Sequence, residues 1–247
     1  MPNNDYDRYN FSFRNTTNFL NNKFILDTSA NYIIQNDKNM VSQGQYFNPL
    51  TSLYLFPRGE DFSDVAVYER YDDLSGVNTQ YWPYGDLGGV SSQNPYWIMN
   101  RMNRENDRRR YKLAASLQYN IIEGLNVQGR VSIDNTESKY TEKFHAGTVG
   151  NFAGPKGRYK EENRLDRQVY ADVLANFNKT FNEFNVTANL GASIKDLRME
   201  LTSLHGDLNN VTNHFTIENL TRSGYYKVNA DGLKRQTQSA FANALRK

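Results

Sequence analysis

The side chains best suited to binding chemistry are aromatic. Tyr81, Trp82 and Tyr84 surround Pro83, and Tyr96 and Trp97 follow in the same long polar stretch. Rings of this kind stack on the apolar C–H faces of sugars, while neighbouring Asn, Gln and Asp side chains hydrogen-bond hydroxyls. The same rings also serve to pack a loop or to meet a partner protein, which is the commoner use of any single one. Arg8, Arg14, Arg130 and Asp134 are a second candidate set. They fall on the polar faces of extended segments, where such charges either pair with an interior domain or are simply solvated.

Other chemistries find little footing. His145, His205 and His214 have no metal-ligand spacing. Glu60, Asp61, Asp64, Asp72 and Asp73 do not follow the calcium-loop pattern. Glu161 and Glu162 are adjacent, so on a strand they point to opposite faces and cannot act as a glycosidase pair. No Ser-His-Asp set can be singled out. Cysteine is absent, which removes disulfides, thiolate metal sites and thiol nucleophiles. The expectation is a protein that is not an enzyme and holds no cofactor or metal.

The elements that must carry these residues show a period of two. Between 24 and 34 the even positions are Phe24, Leu26, Thr28, Ala30, Tyr32 and Ile34, with Asp27, Ser29 and Asn31 between them. That is a strand with one apolar and one polar face. The pattern recurs over 9–19, 111–121, 125–133, 165–177 and 184–194, and more weakly over 233–245. Short turns are expected at Asn21-Asn22-Lys23, at Ile122-Glu123-Gly124 and around Asn178-Lys179-Thr180. Long loops are expected over about 35–107, 136–163 and 195–232.

Strand length and loop asymmetry bear on the solvent. Soluble strands average about 5–6 residues, whereas these run for roughly 9–13, and a tilted strand crosses a bilayer in about 9–11. Short turns at one end and long loops at the other are the outer-membrane barrel pattern. Phe19, Phe24, Tyr119, Phe177, Phe181 and Phe184 lie near the short turns, as an interfacial girdle would. A soluble sheet with one face packed produces the same alternation, so a soluble carbohydrate-binding β-sheet protein stays open as an alternative, as does a passive porin-like channel.

Charge argues against nucleic acid. Lys and Arg total 29 against 27 for Asp and Glu, a net +2, and a nucleic-acid binder usually carries a marked basic excess. The basic run Arg101, Arg104, Arg108, Arg109 and Arg110 is broken by Glu105 and Asp107 and marks a loop-to-strand boundary. Apolar residues make up 38% and aromatics 13%; the aromatics argue against disorder.

Several motifs, in order, resemble one family. Tyr6-Asp7-Arg8-Tyr9-Asn10-Phe11-Ser12-Phe13-Arg14 leads to a turn and a strand through Tyr32. Asn94-Pro95-Tyr96-Trp97 is followed by Asn100, Asn103-Arg104, Tyr111-Lys112-Leu113, then Gly124-Leu125-Asn126-Val127-Gln128-Gly129-Arg130 and Asp134. Together they resemble the barrel of the SusC/RagA family of TonB-linked outer-membrane transporters. The resemblance implies an all-β transmembrane antiparallel barrel, of which residues 1–247 form a partial domain of about seven strands. It further implies a cell-outer-membrane location in Bacteroidota-type Gram-negative bacteria and import of an oligosaccharide, peptide or other nutrient. The implied partners are a SusD-like surface lipoprotein, outer-membrane lipid and the TonB complex. The family's plug and TonB box have no counterpart in these residues, so the expectation is an internal barrel fragment whose transport belongs to a longer parent.

Overall fold

The computed structural model describes residues 2–41, 44, 46–84, 93–181, 184–221 and 226–246, with backbone only for 226–232 and 246. Seven long strands dominate: β1 (Asp5–Phe19), β2 (Phe24–Lys38), β5 (Met102–Ile122), β6 (Leu125–Phe144), β7 (Arg158–Phe181), β8 (Phe184–Asp207) and β9 (Tyr226–Arg246). They form a single antiparallel sheet in the order β1-β2-β5-β6-β7-β8-β9, every neighbour in space also the next long strand in sequence. A small hairpin, β3 (Glu69–Asp72) and β4 (Val77–Gln80), stands apart from it.

The strands are longer than their hydrophobic period. β5 and β9 have 21 residues, β6 has 20, and β7 and β8 have 24 each. Beyond the alternating segments the contrast between the faces is lost, with charges on both faces of β5 and β7 and Leu197, Met199 and Leu201 on the otherwise polar face of β8, so the period vanishes while the backbone ladder continues. The connections shrink accordingly, from 35–107, 136–163 and 195–232 as expected to 39–101, 145–157 and 208–225. Asn178, Lys179 and Thr180 are not a turn: they pair with Thr187, Val186 and Asn185 inside the β7–β8 ladder, and the reversal lies at 182–183, outside the described residues. The first turn is as expected, with Asn21 at φ 54 and Asn22 at φ 62, the left-handed region that Asn tolerates. Gly124 closes the second at φ 83, where a Cβ would come within 2.3 Å of the Asn178 carbonyl oxygen.

At the opposite end the longest connection is folded. It contains α1 (Pro49–Tyr54), a 3-10 turn (Phe62–Ala66), the β3–β4 hairpin and α2 (Pro95–Arg101). The buried core sits here rather than against the sheet. Trp97, Ile98 and Met102 pack on Phe144 and Ala153, flanked by Phe47, Tyr68 and Phe152. Trp97 is 0% exposed, and its indole N–H donates to Thr148 Oγ1 at 3.1 Å. The strands below carry no comparable cover.

Trp97→Ala is expected to cost about 3–5 kcal/mol of loop stability. Hydrogen exchange should quicken across 94–102, while the ladder amides of 111–121 keep their protection.

Candidate functional site

Register assigns every strand residue to one of two faces. Directly opposed residues share a face, so the row Phe19, Phe24, Tyr119, Val127, Ala175, Leu190, Ala242 crosses the whole sheet on one side. Two steps further along, Asn15, Thr28, Ala115, Val131, Ala171 and Ile194 do the same. This apolar face is uncovered: Phe11 is 61% exposed, Phe13 63% and Leu190 63%. Every buried hydrophobic residue among those described lies in or beside the loops instead. Phe19 stacks on Phe24 at 5.6 Å and Phe24 on Tyr119 at 4.6 Å, a line of rings at the short-turn edge of the face.

The apolar face is a band with two parallel, slanted edges. On β1 it runs from Tyr9 to Phe19, and on β8 from Phe184 to Ile194. Following the ladder from Tyr9 through Ile34, Arg109, Glu137 and Leu165 arrives at Glu200, six residues beyond Ile194. Following it from Phe19 arrives at Leu190, six residues beyond Phe184. Six residues are roughly 20 Å along a strand and five strand spacings roughly 24 Å, which gives a slope of about 40°. Strands of closed barrels tilt by about 35–45°. Measured perpendicular to its edges, the band is roughly 26 Å tall, matching the ~25 Å apolar belt of outer-membrane barrels.

The opposite face is polar and internally paired. Arg14 donates to Asp27 at 2.8 Å, and Thr16 Oγ1 donates to the same carboxylate. Arg130 reaches both oxygens of the buried Asp172, which also accepts from the Tyr170 hydroxyl. Asp134 accepts from Arg110 Nε at 2.8 Å. Arg8 lies on this face opposite Gln35 and is exposed. Three of the four charges predicted here therefore spend their strongest bonds within the wall. Their partners Asp27, Arg110 and Asp172 carry no individual signal in sequence, because pairing depends on register.

The loop end gathers the aromatic candidates but uses them differently. Trp97 has no exposed face, so in this conformation it packs the folded 39–101 connection, the canopy, and cannot stack on a ligand. Arg70 sits over the Tyr81 ring at 3.4 Å, and Tyr96 stacks on Tyr68 at 6.4 Å. Trp82 meets Tyr84 edge-to-face at 5.3 Å, and Phe56 links Tyr84 to Phe62 at 5.0 and 5.5 Å. Burial, and then the nearby Glu60 and Asp64 carboxylates with Asp61 behind them, hold the Tyr84 phenol above the usual range. The Ser63 N–H and side chain hold the Asp61 carboxyl below the usual range, and the Ser75 side chain, followed by the Leu74 N–H, does the same for Asp72. Glu161 and Glu162 project to opposite faces of β7, paired with Lys139 and Lys160.

Asn94 organises the canopy. It caps α2 by accepting from the Tyr96 N–H at 2.8 Å, and its amide donates to the carbonyls of Val65 and Tyr81. Asn followed by Pro is the preferred helix start, so the Asn94-Pro95 pair is a sequence signal for this helix. Asn39 ties the same helix to the sheet, donating to the Met99 carbonyl at 2.9 Å and accepting from the Arg104 N–H at 2.9 Å.

Known structures share this fold. The chain superposes on a chain of the RagAB peptide importer in its "open-open" state with a TM-score of 0.63 and 13% identity, over 97% of its own length and 25% of that chain. The "closed-closed" state of the same importer gives 0.58 at 13%, over 97% and 25%. A further structure, of the RagAB peptide transporter, gives 0.58 at 13%, over 98% and 26%. The chain thus spans about a quarter of the length of the structures it matches. No family model matches the sequence, and no curated protein matches it. At this identity the likeness is one of fold: an antiparallel, partial β-barrel like that of a nutrient importer.

His145, at the start of the 145–157 connection, gives the canopy a pH dependence. Burial, and then the nearby Arg101 guanidinium, push its imidazole down from 6.5 to about 4. Between those values the opened loop binds a proton that the folded loop refuses, so stability falls as pH drops from about 6.5 toward 4. Above 6.5 both states are neutral at this site and the effect disappears. Exchange of the 145–153 amides should accelerate over that window, and His145→Gln should flatten the response.

Proposed function

We propose that this chain is part of the barrel wall of a TonB-dependent outer-membrane transporter, its parent importing an oligopeptide or oligosaccharide together with a SusD-like surface lipoprotein. The observation that carries this is the slanted apolar band. A sheet packed against a second protein layer has no reason to keep two parallel edges at the tilt of a closed barrel, whereas a wall embedded in hydrocarbon must. Lipid then contacts the Phe11, Leu113 and Leu190 face, and the Arg14, Arg130 and Asp172 face lines the lumen. The fold shared with a peptide importer adds support for transport as the parent's activity. In this reading the segment is not catalytic, requires no cofactor, and reaches the TonB complex only through other parts of the parent.

The canopy lies on the side away from the short turns, which in such barrels is the cell surface. There the Trp82–Tyr84 pair presents half-exposed rings beside carboxylates, fit for stacking on a sugar or on peptide side chains. In the intact transporter, Trp82→Ala with Tyr84→Ala should lower nutrient uptake by on the order of tenfold, the loss expected from one removed aromatic contact of about 1.4 kcal/mol. Surface expression, followed by antibody labelling of whole cells, should stay at the wild-type level. Unchanged uptake with normal expression would contradict a ligand role for this pair.

A further inference from the structure

We propose that the aromatic cluster of the canopy, Phe56, Phe62, Trp82 and Tyr84, with Glu60 and Asp64 beside it, takes the lysine or arginine side chain of a peptide. This rests on the reading that the segment belongs to an importer, and it makes the nutrient a basic peptide rather than a sugar. The rings form a chain, Phe62 to Phe56 at 5.5 Å, Phe56 to Tyr84 at 5.0 Å and Tyr84 to Trp82 at 5.3 Å, each contact edge-to-face. Phe62 is 44% exposed, and Glu60, Asp61 and Asp64 are exposed with it.

Local chain geometry brings negative charge to the rings. The Glu60 N–H donates to the Pro57 carbonyl, closing a tight turn that Phe56 and Phe62 flank. Asp61 then caps the 3-10 turn by accepting from the Ser63 N–H, and Asp64 lies in its first turn. All three carboxylates act on the Tyr84 hydroxyl. Asp61 is occupied by its cap, but among the described residues the Glu60 and Asp64 side chains have no hydrogen bond or ion pair, and Arg58, nearby in sequence, reaches neither. Over 46–84 six acidic residues stand against two basic ones, a net −4 in a chain whose net charge is +2.

Rings and charge together select the ligand. A neutral sugar stacks on the rings but leaves the carboxylates unanswered, and an acidic ligand is repelled. A metal ion has no use for the rings, and among the described residues no group of carboxylates converges on a metal position. An ammonium or guanidinium group satisfies both, lying against a ring face while a carboxylate accepts its N–H. The chain makes this kind of contact with itself next door: the Arg70 guanidinium lies over the ring of Tyr81, the residue before Trp82, at 3.4 Å.

The test measures binding to the intact parent transporter with its lipoprotein, by fluorescence anisotropy. The probes are an arginine-bearing peptide, its citrulline and aspartate counterparts, and a neutral maltodextrin. Wild type should bind the arginine peptide about tenfold tighter than the citrulline one, from one ring contact and two exposed charge pairs. Added salt should shrink that preference. Glu60→Gln with Asp64→Asn should reduce it to about twofold, the part left to the ring, and Glu60→Asp with Asp64→Glu should keep it. Asp73→Asn, in the turn between β3 and β4, should leave it unchanged. Heat-modifiable gel mobility checks that each variant is folded. An undiminished preference in the Gln/Asn variant, or tighter binding of the aspartate peptide or the maltodextrin than of the arginine peptide, would overturn the proposal. Loss of the lipoprotein from that variant with the peptide preference intact would also overturn it, making the cluster a protein contact. An intact transporter that binds neither the peptides nor the sugar would overturn the importer reading, and the proposal with it.

Discussion

Each strand of this sheet carries one apolar and one polar face, which a side-chain period of two imposes. Backbone N–H and C=O groups in hydrocarbon have no water to turn to, so they must be satisfied between strands along the full depth of the band. The seven-strand ladder does this between β1 and β9 in antiparallel pairing, with register shifts between Asn120 and Ile122 and between Met199 and Leu201. Once the ladder is fixed, a slip of one residue anywhere would carry Leu113 or Leu190 to the polar face and Arg130 or Asp172 to the apolar one. The ion pairs Arg14–Asp27, Arg110–Asp134 and Arg130–Asp172 resist such a slip from the polar side. For the exposed Arg14–Asp27 and Arg110–Asp134 pairs the value lies in register, since such pairs contribute little net stability; Asp172 is buried, so a slip that removed Arg130 would also strand its charge.

The proposed membrane reading also accounts for where the buried core sits. A wall facing lipid needs no second layer, and Trp97, Met102 and Phe144 are gathered instead in the canopy, where a connection of over sixty residues folds on itself. It does so with polar ties as much as with rings. Asn94 and Asn39 each bind several backbone groups that no ladder reaches. The aromatic residues divide between canopy packing, the ring row at the short-turn edge and the half-exposed Trp82–Tyr84 pair.

The alternating segments were the legible part of the sequence. From 9–19 to 184–194 each alternating stretch coincides with the part of a strand that carries the apolar band. Legibility ends where the contrast between the faces ends: Arg108 and Arg109, or Glu161 and Glu162, are charged on both faces and carry no period, yet they belong to the same ladder. Asn178-Lys179-Thr180 looks like a turn by residue preference, and the pairing of β7 with β8 overrides that preference. Composition marked the loop aromatics as candidates but could not say that Trp97 is enclosed, because enclosure depends on Thr148 and Phe144 arriving from a distant connection. The slanted band was out of reach for the same reason, since it exists only once five registers are known.

The most direct test of the account is nitroxide scanning in bilayers, made simple by the absence of native cysteine. Single labels along the outward positions of β1 and β8 would be compared for collision with oxygen, which partitions into hydrocarbon, and with a water-soluble nickel complex. The account predicts oxygen dominance from 9 to 19 and from 184 to 194, with β8 switching to nickel near 196, well short of the ladder partner row at 200. A switch that follows a single ladder row across the sheet, or nickel access along the whole outward face, would contradict it.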